Sequence, residues 1–176
     1  MNVTIFGGAQ SKEGTPAYEE ARLLGSLLAR RGHTVLTGGY MGTMEAASRG
    51  AHEAGGHVVG VSPAVSLKEH VEIYGSPFKE YDVMVMTGLG LMGRELINIH
   101  SSDIIVVAGG RSGTLGEFAI AYEEGKLIGV LTGTPESYGA IVFYLLAYVF
   151  MNLGAFGVVV VLAHRGHDCD RIDSFA

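Results

Sequence analysis

The sequence predicts an α/β protein with a doubly wound, mostly parallel sheet and helices on both faces. Three observations support this fold class. Short β-branched runs such as residues 104–107 contain no polar residue, which is typical of strands buried on both faces of a parallel sheet. Amphipathic segments alternate with these runs at the spacing of βαβ units. Glycine clusters stand where strands meet helices.

The predicted elements follow from this alternation. Strands are expected at residues 3–6, 34–37, 57–61, 81–87, 104–107, 127–131 and 158–162. Helices are expected between them, from residue 17 to a stop at Gly32, at 43–54, at 94–101, from Thr114 onward, and from 135 to about 152. Residues 64–80 show no clear pattern.

Composition limits the class of protein. The 176 residues predict one domain over 1–176, with 163–176 as a loose tail. A hydrophobic content of 48% excludes disorder, and a net charge of −6 lacks the basic excess expected of a nucleic-acid binder. The single cysteine, Cys169, excludes an intramolecular disulfide and suits a cytoplasmic, reducing compartment.

An uncharged run at residues 143–162 is about long enough to span a membrane. Asn152, Gly154 and Gly157 interrupt it, so a helix, a turn and a buried strand are favoured over a spanning helix, and no membrane association is expected.

The glycine-rich turns predict the binding site. They lie at residues 7–8, 38–42, 88–93 and 109–113, each after a strand, and should meet at one edge of the sheet. Neither the dinucleotide fingerprint nor the P-loop pattern is present, which favours a phosphate-bearing ligand held mainly by backbone amides. The candidate phosphate-binding or nucleotide-binding residues are Gly7, Gly8, Ser11, Gly38, Gly39, Gly42, Gly109, Gly110, Arg111, Ser112, Gly113 and Thr114.

Three side chains leave alternatives open. Thr114 and Glu117 have the spacing of a capping box, or Glu117 is catalytic. Arg94 is an exposed arginine at a helix start, or it binds the ligand, since a cation there opposes the helix dipole. Tyr40 stacks on a base or packs at the rim.

The ordered motifs F-G-G-A-Q-S, T-G-G-Y-M-G-T-M-E, G-R-E-L-I-N and A-G-G-R-S-G-T-L-G-E resemble the LONELY GUY superfamily, long labelled possible lysine decarboxylases. The match covers about residues 2–131 and looks closest to the bacterial branch with DprA-related and molybdenum cofactor carrier proteins. It implies a Rossmann-like fold, a homodimer or higher homo-oligomer, and a small phosphate-bearing ligand with no required cofactor.

Active members cleave the N-glycosidic bond of nucleoside 5'-monophosphates, so the resemblance implies a possible phosphoribohydrolase. The hallmark P-G-G-x-G-T-x-x-E places Gly110, Gly113 and Thr114 at the phosphate, with Arg94 and Glu117 catalytic at the ribose and scissile bond. Arg111 replaces a loop glycine, and is either a new phosphate ligand or a partial filling of the pocket. Glu95 stands where active members have a second basic residue.

Two function classes therefore remain: a hydrolase, and a non-catalytic carrier of a nucleotide or molybdenum cofactor. Lysine decarboxylation is disfavoured because no lysine follows a glycine turn to form the Schiff base. No metal site is expected, since the polar cluster His164, His167, Asp168, Cys169 and Asp170 matches no zinc spacing.

Overall fold

The computed structural model describes residues 1–131 and the single positions 150, 153, 154, 157 and 160. The chain forms two compact units, Met1–Gly133 and Thr134–Ala176. The single domain that the sequence predicts over residues 1–176 stays a prediction.

The first unit is built on six parallel strands in the order β4-β3-β2-β1-β5-β6. Its strands are β1 (Asn2–Gly7), β2 (Thr34–Thr37), β3 (Val58–Ser62), β4 (Val83–Met86), β5 (Ile104–Ala108) and β6 (Leu127–Leu131). Its helices are α1 (Pro16–Arg30), α2 (Thr43–Glu53), α3 (Leu67–Glu72), α4 (Gly90–His100) and α5 (Ser112–Glu123). The predicted α/β class and Rossmann-like sheet are confirmed.

Alternate residues of the strands are buried in two hydrophobic layers on opposite faces. Ile5 of β1 lies in a layer with Leu24 and Leu28 of α1 and Ala47 of α2. Its neighbour Phe6 lies in another layer with Ile99 of α4, Ile105 of β5 and Ala121 of α5. This period of two explains why the β5 run is apolar throughout, because that strand packs against helices on both faces.

Two glycines allow α1 and α2 to touch through their backbones. A Cβ on Gly25 would lie 2.0 Å from the Ala47 oxygen, and one on Gly50 would lie 1.9 Å from the Arg22 oxygen. The close approach fixes α2, whose first turn follows the glycine-rich segment 38–42.

Two helix starts differ from the sequence prediction. α4 begins at Gly90 rather than Arg94, so Arg94 lies in its second turn, and α5 begins at Ser112 rather than after Thr114. Glycines are weak helix formers, and tertiary packing overrides their propensity at both starts. The unassigned residues 64–80 contain α3, whose first amides are capped by Ser66, with Glu69 N donating to the Ser66 hydroxyl at 3.2 Å.

In the second unit, Phe150, Leu153, Gly154, Gly157 and Val160 are helical. The predicted turn at Gly154 and Gly157 and the strand at 158–162 are therefore wrong at these positions. Periodicity cannot distinguish a short buried strand from a helix in an apolar run, and that ambiguity explains the error. The rest of the predicted 135–152 helix and the tail at 163–176 lie outside the described residues. Among the positions described, no helix is long and apolar enough to cross a membrane.

Candidate functional site

The strand order reverses between β1 and β5. Strands β2, β3 and β4 extend to one side of β1, while β5 and β6 lie on the other. The loops that leave β1 and β5 therefore diverge to opposite faces of the sheet and open a crevice above the carboxyl ends of these strands. In open α/β sheets this reversal is the usual ligand position.

The turn between β5 and α5 is shaped by two glycines in left-handed conformations. Gly109 has φ +67° and Gly110 has φ +128°. A Cβ on Gly110 would lie 2.2 Å from the Thr114 hydroxyl oxygen, so a side chain is excluded there by both backbone and packing. The turn brings the first amides of α5 to the crevice.

These α5 amides have no partner within the described part of the protein. Arg111 is the N-cap residue and its side chain makes no capping hydrogen bond, so the amides of Ser112, Gly113 and Thr114 lack the acceptors that a helix supplies further along. A Cβ on Gly113 would meet no atom within 4 Å. The helix start is thus open, positively polarised and suited to an anion.

The capping box predicted for Thr114 and Glu117 is absent. Thr114 is the third residue of α5, and its hydroxyl donates to the Gly7 carbonyl at 3.4 Å. Glu117 lies one turn further on and is only 6% exposed. The capping explanation for this buried carboxyl is therefore wrong.

Arg94 lies on the backbone at the end of β2. A Cβ on Gly38 would lie 1.7 Å from Nη1 of Arg94 and 2.5 Å from its Cζ. Arg94 is only 5% exposed, and its buried Nε and Nη1 have no hydrogen-bond partner among the described residues. The exposed helix-start arginine considered from the sequence is therefore wrong.

Glu117 and Arg94 influence each other without a direct ion pair within 4.0 Å. Burial, followed by the charge of Glu95, raises the pKa of Glu117 from 4.5 to about 7, and Arg94 opposes this rise. Burial lowers the pKa of Arg94, while Glu117 and Glu95 oppose that change. Burial also raises the pKa of Glu95 against the attraction of Arg94. A carboxyl that changes charge near neutral pH is suited to proton transfer.

Asn98 is a buried polar residue that the sequence reasoning missed. It is fully buried one turn after Arg94 on α4, and neither its Oδ1 nor its Nδ2 has a partner in the described part of the chain. The sequence does carry a signal for Asn98. It is a polar residue inside the apolar segment L-I-N-I, and it lies four positions after Arg94.

A side-chain bridge crosses the crevice. Arg111 donates from Nη2 to the Oε1 atom of Gln10 at 2.8 Å, and both residues are exposed. Gln10 belongs to the loop after β1, and it also lines a cavity of about 500 Å³. Other residues of this cavity are Ser11, Lys12, Tyr18, Met41 and Arg49.

Three of the four predicted glycine turns meet at the crevice. A Cβ on Gly42 would lie 2.2 Å from the Gly8 oxygen, and one on Gly8 would lie 3.7 Å from both the Gly110 nitrogen and the Ser11 hydroxyl oxygen. Gly7 is wedged between Thr43 and Ala108, where a Cβ would come within 2.4 Å of both.

The remaining predicted positions lie elsewhere. Gly39 faces His70 and Met84, with its Cβ position 3.1 Å from each side chain, rather than the crevice. Gly88, in the fourth turn, follows the edge strand β4 and packs against Val65, and this turn leads into α4. Residues 1–131 and the few described positions beyond contain no cluster of three metal-binding side chains, and the predicted tail cluster lies outside them.

The fold and site define a Rossmann-like α/β protein with an anion-attracting crevice at its topological switch point. Residues 1–145 match the SLOG cluster4 family, and the chain belongs to that family. An uncharacterized protein of Archaeoglobus fulgidus is 35% identical over 131 residues, which cover 74% of this chain and 80% of that one.

Solved structures confirm the suspected branch. The molybdenum cofactor binding protein of Rippkaea orientalis is 32% identical, with a TM-score of 0.68 over 81% of this chain and 83% of that one. The molybdenum cofactor carrier protein of Chlamydomonas reinhardtii is also 32% identical, with a TM-score of 0.65 over 81% of this chain and 84% of that one. DNA processing protein A of Helicobacter pylori shares the fold at 19% identity, a TM-score of 0.60 and coverage of 82% and 72%.

A second group of relatives matches a much shorter stretch. NADH-quinone oxidoreductase subunit N of Thiobacillus denitrificans is 47% identical over 49 residues, which are 28% of this chain and 10% of that protein. So small a share of the relative carries no functional argument.

Proposed function

We propose that the protein binds a nucleoside 5'-monophosphate in the crevice between β1 and β5 and hydrolyses its N-glycosidic bond. The observation that carries the proposal is the buried Glu117 carboxyl, whose pKa of about 7 is set by burial and by Glu95. It lies one turn inside a helix whose first three amides have no acceptor among the residues described and are suited to bind phosphate.

The proposed chemistry uses two side chains of this chain. Glu117 as a carboxylate accepts a proton from water as the water oxygen bonds to C1' of the ribose and the bond from C1' to the base nitrogen breaks. Glu117 then gives this proton to the departing base nitrogen and returns to its carboxylate form, which leaves the neutral base and ribose 5-phosphate as the products. The negative charge of Glu117 also stabilises the positive charge that develops on the ribose. Arg94 places a positive charge near Glu117 and favours the ionised form of that carboxyl near neutral pH.

Release of free base from AMP, GMP, CMP and IMP tests the hydrolase. The wild-type protein is expected to release base from at least one of them, and Glu117→Gln is expected to abolish release while ligand binding persists. Glu123→Gln is the matched control, because Glu123 is an exposed glutamate at the end of the same helix. Equal release by wild type and Glu117→Gln would contradict the proposed role.

A carrier of a molybdenum cofactor is the second candidate. The two cofactor-binding or carrier proteins support it, because each is 32% identical over about four fifths of this chain. The same crevice would hold the phosphate of such a cargo, and Glu117 would then contribute only polarity. A nucleotide or cofactor that raises the melting temperature without any base release would favour the carrier.

We propose that the protein self-associates through β4 and α4. Most of the residues exposed there are apolar, with Met92 at 80% and Val83, Val85, Leu91 and Leu96 each exposed by 40% or more. β4 is an edge strand, and such apolar edges usually mark an interface. Light scattering should show a dimer or larger oligomer that Met92→Glu dissociates. Leu23→Glu, at an exposed position on α1, should leave it intact.

A cytoplasmic location and the absence of nucleic-acid binding also remain predictions. The net charge of −6 supports the absence of nucleic-acid binding. An electrophoretic shift of single-stranded DNA at physiological salt would contradict it.

A further inference from the structure

The bridge between Arg111 and Gln10 suggests a more specific role for the crevice. Arg111 occupies the N-cap position of α5, where a positive charge is unfavourable because the helix dipole is positive at this end. Its hydrogen-bond partner is the neutral amide of Gln10, and no carboxylate of the described residues lies within 4.0 Å of it. The positive charge of Arg111 therefore lies at the start of α5 without a neutralising carboxylate among the described residues.

Other groups at the crevice share this excess of donors. The amides of Ser112, Gly113 and Thr114 have no described acceptor. Arg94 is 5% exposed with two unpaired nitrogens, and it lies close enough to Glu117 to affect the pKa of that carboxyl. The α5 amides and the Arg111 guanidinium are therefore donors for a ligand with several phosphate oxygens, and Arg94 adds positive charge near Glu117.

The bridge also fixes the Arg111 guanidinium in position. Gln10 engages Nη2, so Nε and Nη1 are free for a second partner. The bridge joins the loop after β1 to the loop after β5, across the two sides of the crevice. A guanidinium positioned in this way binds phosphate in the bidentate geometry that lysine cannot offer.

We propose that Arg111 and Gln10 form a clamp over the phosphate of the ligand and favour phosphorylated over unphosphorylated sugars. Arg111 donates to the phosphate, and Gln10 is a positioning residue that keeps the guanidinium over the crevice. The inference rests on the proposed phosphate site and is independent of hydrolysis. It assigns a role to Arg111, which occupies a position where the family hallmark has glycine.

Titration of ribose 5-phosphate into the purified full chain tests the clamp, with ribose as the probe that lacks phosphate. Arg111→Gln removes the charge and is expected to weaken ribose 5-phosphate binding about tenfold or more. Arg111→Lys keeps the charge without the fork and should recover only part of the affinity. Gln10→Ala should weaken binding about threefold, mainly through faster dissociation, because Arg111 then loses its position.

Arg30→Gln is the matched control. It removes one positive charge at the exposed last turn of α1, and helices of βαβ units end at the opposite edge of the sheet. Its affinity for ribose 5-phosphate should equal that of the wild type. Melting temperatures of all variants should stay close to the wild type, because the substituted residues are exposed.

The outcomes separate the two proposals. If wild type binds ribose 5-phosphate and Arg111→Gln binds it equally well, the clamp is wrong while the phosphate site stands. If wild type binds neither ribose 5-phosphate nor AMP, the proposed site is wrong and the clamp fails with it. Equal loss in Arg30→Gln and Arg111→Gln would show only a general effect of net charge, which also overturns the clamp.

Discussion

Replacement of Glu117 with glutamine is expected to stabilise the protein at pH 8 and to change its stability little at pH 4. Burial raises the pKa of the Glu117 carboxyl from 4.5 to about 7 in the folded protein. Below pH 4.5 this carboxyl is protonated in both the folded and the unfolded chain. As the pH rises from 4.5 to 7, the unfolded chain loses the proton first, so the free energy of unfolding falls.

The magnitude follows from that difference in pKa. A change from 4.5 to about 7 corresponds to about 3 kcal/mol at pH values above 7. Because Glu117 is only 6% exposed, solvent screening reduces this value little. Glutamine has a similar shape and no charge, so it should recover most of this free energy at pH 8.

Urea titrations at pH 4, 6 and 8 measure the effect. The stability gain of Glu117→Gln over wild type should grow from near zero to about 3 kcal/mol, while Glu123→Gln should show no such growth. If Glu117→Gln were less stable than the wild type at pH 8, that result would contradict a Glu117 pKa raised by burial. It would show that the ionised carboxylate is stabilised by its surroundings, so that burial is not the dominant influence on its pKa.

Four further substitutions test the crevice and the buried amide of Asn98. Gly38→Ala should keep the fold and weaken AMP binding about tenfold, because the new Cβ displaces the Arg94 guanidinium; unchanged binding in a titration would contradict this. Gly113→Ala should raise the free energy of unfolding by about 0.5–1 kcal/mol, as should Gly116→Ala, since neither new Cβ meets an atom. Gly113→Ala should also weaken AMP binding, because its Cβ enters the phosphate position; equal affinity would contradict the free-amide site. Asn98→Leu should raise the free energy of unfolding by about 1 kcal/mol because it removes an unpaired buried amide, and a loss measured by urea titration would show that this amide has a partner.

Much of the fold could be predicted because its elements follow strong local patterns. The strands Thr34–Thr37 and Leu127–Leu131 begin and end where the sequence predicted. α4 was harder because its first turn contains Gly90 and Gly93, which resemble a loop in sequence. The apolar run that includes Val160 was misassigned because strand and helix look alike without periodicity.

The location of the site could be predicted, but its electrostatics could not. Strand ends and glycine turns pointed to the edge where Gly8, Gly42 and Gly110 meet. The contact between Arg94 and Gly38 joins residues far apart in sequence, so no local pattern reveals it. The raised pKa of Glu117 depends on burial by several elements, which a capping-box pattern concealed.

A titration of ribose 5-phosphate followed by amide NMR shifts tests the phosphate site between β1 and β5. We expect saturable shifts at Gly8 and Gly110 and at the first α5 amides, those of Ser112, Gly113 and Thr114. Shifts confined to the cavity around Tyr18 and Arg49, or no saturable shifts at all, would contradict a phosphate site between β1 and β5.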